Sequence, residues 1–123
     1  MDRIQTLELR ELIVAATNRA LEGIPEDQVR YHICWGSWNA PHASDIELVD
    51  VIDLVFRVNA QTYSIEAVNA RHDHEWRVFE QHPLPAGKML MPGVVSHATN
   101  VVEHPQGVAD RSCGSPTSSA EKF

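Results

Sequence analysis

Apolar residues recur at three- and four-residue steps near the start of the chain, at Ile4, Leu7, Leu12, Ala15, Ala16 and Leu21. That period predicts an amphipathic helix over residues 4–22, with Glu8, Arg10, Glu11, Asn18 and Arg19 on its polar face. Gly23 and Pro25 stop it. Residues 29–35 form a short apolar run and predict a buried strand. The following 36–43, with Gly36, Asn39 and Pro41, predict a loop. Asp45 is a suitable N-cap for a second helix over 46–59, whose apolar positions are Ile46, Val49, Ile52, Leu54, Val55 and Val58. A second strand is predicted over 62–68, then a polar loop to His74 and a short helical piece over 75–81. Residues 83–87 form a turn, 88–95 a third strand, and a last helix is expected from near Asn100. No internal repeat is present.

Helices alternating with short apolar strands predict an α/β fold, with a parallel sheet covered on both faces. In such sheets the loops after the strands carry function. Here those loops, 36–44, 69–75 and 95–99, are rich in His, Asn, Asp and Trp, so chemistry is concentrated at one edge of the sheet. The 123 residues suffice for one modest domain with a core. No apolar run approaches the roughly 18 residues of a spanning helix, which argues against a membrane protein. A net charge of −7 without a basic patch disfavours nucleic-acid binding. The start, Met1-Asp2-Arg3-Ile4, has no signal-peptide core, so a cytoplasmic location is expected. Two cysteines far apart are no disulfide framework.

His32 and Cys34 stand two apart in the first strand, a spacing that points both side chains to one face. An imidazole beside a thiolate is half of a tetrahedral zinc site. The alternative is a satisfied core histidine beside a small buried hydrophobe. Glu66 ends the second strand, where a carboxylate is costly unless paired or coordinated. It offers an oxygen ligand, or an ion-pair partner for Arg71 or Arg77. His72 and His74 alternate like a metal clip, although a polar loop explains them too; they are taken as substrate-loop candidates. His97 and His104 follow the third strand and are candidate acids or bases. Trp35 and Trp38 flank the first loop and are placed to wall a pocket, whereas Trp76 suits helix packing. Pro92-Gly93 suggests a kink or a close approach at the third strand's end.

The run His-Ile-Cys-Trp-Gly-Ser-Trp-Asn-Ala-Pro-His at 32–42 resembles the first zinc motif of the catalytic barrel of cobalamin-independent methionine synthase. It is closer still to the short, single-barrel methionine-synthase-like proteins. Ser64-Ile65-Glu66-Ala67-Val68-Asn69 followed by Arg71-His72-Asp73-His74-Glu75-Trp76 is similar to their next strand and loop. Met91-Pro92-Gly93-Val94-Val95 through Val102-Glu103-His104-Pro105 is similar to the strand and helix after that. The resemblance spans residues 5–111. It implies a partial TIM (β/α)8 barrel, about three βα units from its C-terminal half, as the single domain 1–111. It implies a zinc-dependent methyltransferase of methionine biosynthesis, which moves a methyl group from a methylated folate-like donor to the zinc-bound thiolate of a homocysteine-like substrate. Carried over by position, His32, Cys34 and Glu66 are the metal ligands and Zn2+ the cofactor. His97 is the catalytic candidate, and Trp35, Asn69 and Ser96 are the substrate-binding candidates. Ser96 departs from the acidic residue common in relatives, which leaves the contact to a substrate amino group in question. The same barrel type also hosts alkyl transfer to coenzyme M.

A full barrel takes about 200 residues or more. Three strands alone are therefore expected to leave two open edges and an uncovered inner face, and to be inactive, to need a complementary barrel fragment as partner, or to persist as a non-catalytic metal-binding or interaction module. Residues 112–123 abandon the amphipathic pattern and read as an irregular tail. One permitted coding of this tail, read one base earlier, gives Ile-Leu-Arg-Phe-Ala-Asn-Lys-Leu-Gly-Arg-Glu-Val, an amphipathic helix closed by a glycine. A single-base deletion near codon 111 is the expectation. Cys113-Gly114 is then not the family's remaining Asp-Cys-Gly ligand, because no strand precedes it and it follows Pro105 too closely.

Overall fold

A computed structural model describes residues 3–37 and 41–113, and the side chains of the first helix from residue 8 onward. Trp38, the side chains of Ile4 and Leu7, and the tail after Cys113 lie outside the described residues. Helix α1 (Arg3–Ala20) leads through a single 3-10 turn into strand β1 (Arg30–Ile33). A second 3-10 turn, Leu48–Asp50, precedes the short helix α2 (Ile52–Val55) and strand β2 (Thr62–Ile65). A third turn, Glu75–Arg77, runs into helix α3 (Val78–Gln81), followed by strand β3 (Met89–Pro92) and helix α4 (Pro105–Ser112). The fold is thus mixed α/β around a small parallel sheet, as the alternation of patterns predicts.

The strands lie in the order β1-β2-β3. Thr62 pairs with Arg30 on one side and Met89 on the other, and Ile65 with Ile33 and Pro92. Pro92 is tolerated because β3 is an edge strand. Gly93 extends the ladder by donating its N–H to Ile65 O at 2.8 Å. A Cβ on Gly93 would meet Ile65 O at 3.5 Å, an ordinary contact, so no close approach demands glycine there. An ion pair from Lys88 to Glu26 (2.5 Å) ties the start of β3 to the turn before β1.

Side chains alternate across the sheet as the pleat requires. Tyr31, Ile33, Tyr63, Ile65 and Leu90 face the helices and join a cluster built on Val14, Leu48, Ile52, Val55, Val58 and Ala60. Tyr63 is fully buried, and its hydroxyl donates toward Phe56 O and Val58 O, each at 3.0 Å. Arg30, His32, Met89 and Met91 alternate with that set and are exposed. The general rule of two covered faces does not hold here: among the described residues the core cluster lies on the Tyr63 face, and the face carrying His32 is open, as expected of three strands alone.

Three local expectations also change. In α1 the packed residue is Val14 (8% exposed), while Leu12 is 64% exposed and Ala15 and Ala16 are exposed too. The helix is turned by polar ties: Asn18 donates to Arg57 O and accepts from Asn59 N–H, both at 2.8 Å, and Glu11 pairs with Arg57. These ties satisfy backbone groups in the turn after α2 that would otherwise need water. The helix expected over 46–59 is a 3-10 turn and a single α-turn; of its expected apolar positions Ile52, Val55 and Val58 are buried, Val49 is exposed, and Leu48, outside that set, is buried in its place. Finally, α4 begins at Pro105 rather than near Asn100. Proline fits the first helical position and disfavours helical geometry in the residue before it. His104 accordingly is extended and caps α4, its ring nitrogen accepting Gln106 N–H at 3.1 Å.

The packing predicts unequal costs for two apolar truncations. Ile52→Ala removes a fully buried side chain and should destabilise by about 2–5 kcal/mol. Leu12→Ala should change stability by less than about 0.5 kcal/mol. Urea unfolding of both variants checks the order; comparable losses in the two would show that the stripe through Leu12 is buried as well.

Candidate functional site

The candidate residues lie on or follow the C-terminal ends of the parallel strands, where open α/β sheets place their ligands. On β1, His32 sits on the open face opposite Ser64, its register partner, with Nδ1 3.1 Å from Ser64 Oγ. Cys34, two residues on, is exposed with a free thiol. One step past the Ile33–Ile65 pair, Glu66 donates its N–H to Ile33 O at 3.2 Å and so continues the ladder beside Cys34. Glu66 is only 5% exposed. Its Oε2 accepts the Trp35 amide N–H at 3.4 Å, and its Oε1 is buried without a partner. Neither Arg71 nor Arg77 takes it up: Arg77 lies over the Trp76 ring at 5.0 Å, and Arg71 is exposed. A buried carboxylate oxygen left unpaired is costly, so Glu66 Oε1 is an acceptor suited to a cation or a donor.

The substrate-binding candidates are held in different ways. Asn69 is buried: its Oδ1 accepts Arg71 N–H at 3.0 Å, and its Nδ2 has no partner. Ser96 donates its amide N–H to Glu103 Oε2 at 2.8 Å, and Glu103 in turn pairs with Arg111 of α4. The Arg111 guanidinium, with the Ser96 N–H behind it, holds the Glu103 carboxyl below the usual carboxylate range. His97 is exposed beside Ser96. Cys113 follows α4 as its C-cap and is exposed.

Trp35 is half-buried, and Gly36 turns the chain off the sheet immediately after it with a positive φ of 98°. Its indole N–H donates to Ile46 O at 2.6 Å, and its ring stacks on His72 with centroids 4.0 Å apart and planes 16° apart. His72 and His74 thus part company: His72 is 2% exposed, whereas His74 faces solvent. The His72 ring lies between two carboxylates, with Nδ1 3.0 Å from Glu75 Oε2 and Nε2 3.0 Å from Asp45 Oδ2. Glu75 also accepts Leu48 N–H at 2.7 Å, and His42 reaches Asp45 Oδ2 at 2.5 Å. Asp45 is therefore not the helix N-cap its position suggests; its carboxylate is drawn to His72 and His42. Hydrogen bonding from His72, followed by His42, holds the Asp45 carboxyl below its ordinary value against the opposing effect of burial.

This network was not anticipated as a unit. Its signal in the chain is a repeated His-x-x-acid step, His42 to Asp45 and His72 to Glu75, which brings each pair together across one turn. Its groups meet at hydrogen-bond lengths rather than around a shared point. Among the described residues no group of three or more His, Cys, Asp or Glu side chains is gathered as a metal cage. A cavity of about 110 Å³ lies elsewhere, between α1, α2 and β1, lined by Ile13, Val14, Tyr31, Val51 and Leu54 among others, and no candidate site residue borders it. No described helix is long and apolar enough to cross a membrane. Comparison with family models, with curated proteins and with solved structures finds no match to this chain.

The depressed Asp45 carboxyl gives a signed expectation. A carboxyl whose folded value lies below its unfolded value, about 3.9 for Asp, adds stability that is complete above that value and disappears as pH falls through the folded one. Acid unfolding followed by circular dichroism should be shallower in Asp45→Asn, which lacks this contribution. An acid limb identical to the parent's would remove Asp45 from the balance.

Proposed function

We propose that this chain is part of a methionine-synthase-like (β/α)8 barrel whose chemistry is zinc-dependent methyl transfer to a thiol. The observation that carries the reading is the end of the β1–β2 ladder. It sets Cys34 of one strand beside Glu66 of the next, with His32 on the open face and a buried Glu66 oxygen lacking any partner. Imidazole, thiolate and carboxylate form a donor set zinc accepts, and the orphaned Glu66 Oε1 fits a cation.

The roles of the chain's own groups follow from their chemistry. His32, Cys34 and Glu66 would hold the metal, and His32 would exchange its contact with Ser64 for that role. When bound, zinc supplies the charge that keeps a thiol deprotonated at neutral pH. Asn69 offers an unpaired amide N–H for an acceptor on a homocysteine-like thiol, Trp35 supplies an apolar wall, and Ser96 lies in the loop that follows the third strand. His97, exposed beside Ser96, is placed to move a proton. The methyl donor is a methylated folate-like molecule. The open sheet face would be the inner wall of the barrel, covered by a complementary fragment.

A second reading is favoured by the engagement of His32 with Ser64. On it the chain is a non-catalytic α/β module that binds metal weakly.

Elemental analysis of the purified chain beside a His32→Ala, Cys34→Ala double variant separates the two. The expected result is about one zinc per chain in the parent and none in the variant. A folded, metal-free parent would leave the second reading. Thiol competition between homocysteine and coenzyme M then identifies the acceptor class.

A further inference from the structure

The best-built polar feature of the molecule lies outside the proposed donor set. We propose that His72 is a positioning residue: a doubly protonated imidazole that ties the loop after β1 to the loop after β2 and fixes Trp35 beside Cys34. This stands independently of any metal.

The hydrogen-bond count carries it. Both ring nitrogens lie 3.0 Å from a carboxylate oxygen, Nδ1 from Glu75 and Nε2 from Asp45. An ionised carboxylate only accepts, and a neutral imidazole has a single N–H. A neutral ring would therefore turn one lone pair toward a carboxylate inside a site where the His72 side chain is 1% exposed. An imidazolium donates to both and leaves no buried nitrogen unpaired. His42 approaches the same Asp45 oxygen from the loop after β1 and adds a second donor to it. Glu75 is held from behind by Leu48 N–H, which keeps its other oxygen on the ring.

The consequence reaches the end of β1. The positive ring lies face to face with the Trp35 indole, centroids 4.0 Å apart, an arrangement in which the cation attracts the π-system. Trp35 is then held at three points: its face on His72, its indole N–H on Ile46 O and its amide N–H on Glu66 Oε2. Asp45 and Ile46 belong to one loop and His72 and Glu75 to the next, so the charged ring joins the two segments that border the strand ends. Exposed Arg71, Asp73 and His74 lie on the same loop as His72 and face solvent instead.

Nitrogen NMR of the imidazole side chains in the folded parent near neutral pH, with His72 assigned by its loss in His72→Gln, tests the protonation state. Two ring N–H groups at His72 are expected. A single ring proton overturns the proposal. Exchange of the Trp35 indole N–H tests the positioning. Asp45→Asn keeps the shape of the partner and removes its charge, and should accelerate that exchange by about tenfold or more with an unchanged circular dichroism spectrum. An unchanged exchange rate in a folded Asp45→Asn variant would equally overturn it. If His72→Gln fails to fold, assignment through His72–Trp35 ring contacts keeps the parent measurement decisive.

Discussion

The parallel register between β1 and β2 is the constraint on which the rest depends. With Tyr31 opposite Tyr63 and Ile33 opposite Ile65, one face of the sheet buries its side chains against the helices. The same period of two forces His32 and Ser64 onto the other face and brings Cys34 level with Glu66 one step later. A slip by one residue would exchange the two sets: Tyr63 and Ile65 would leave the core, and the polar row would enter it. The hydrophobic contribution of the covered face therefore fixes the geometry of the chemically interesting one. The backbone bonds from Glu66 to Ile33 and from Gly93 to Ile65 carry that order past the last paired residues.

Parallel sheets are ordinarily covered on both faces, and here the described residues cover one. The open face is polar at the strand ends and apolar at Met89 and Met91, a composition between a solvated surface and a packed interior. Among the described residues strands β1 and β3 each leave an unpaired edge, and such edges favour association. Both features agree with the proposal that the sheet is one sector of a larger barrel. The polar loops obey a different logic. They are tied to one another by hydrogen bonds among His72, Asp45 and Glu75.

Much of the fold was legible because it rests on local pattern. Short apolar runs between helical periods marked all three strands, and their alternation with helices marked a parallel sheet. What was misread depends on distant partners. The stripe through Leu12 and Ala16 looked buried, yet Asn18 and Glu11 turn α1 toward Arg57 and Asn59, and nothing near residue 18 announces that contact. Asp45 looked like a cap because an acidic residue before an apolar period usually is one; its true partner, His72, is 27 residues away. An uncovered face was expected of three strands on their own, and the described sheet has one, carrying Arg30, His32, Met89 and Met91. His32, Cys34 and Glu66 were expected as metal donors from spacing, chemistry and the family resemblance. That they stand on adjacent strand ends needed the register.

The most direct measurement is X-ray absorption at the zinc edge of the zinc-loaded full chain, with Cys34→Ser and Cys113→Ser variants beside it. If the β1–β2 strand ends form the donor set, the parent will show one sulfur at about 2.3 Å with nitrogen and oxygen donors at about 2.0–2.2 Å. That sulfur will disappear in Cys34→Ser and persist in Cys113→Ser. A sulfur lost only with Cys113, or a shell of nitrogen and oxygen alone in the parent, would contradict it.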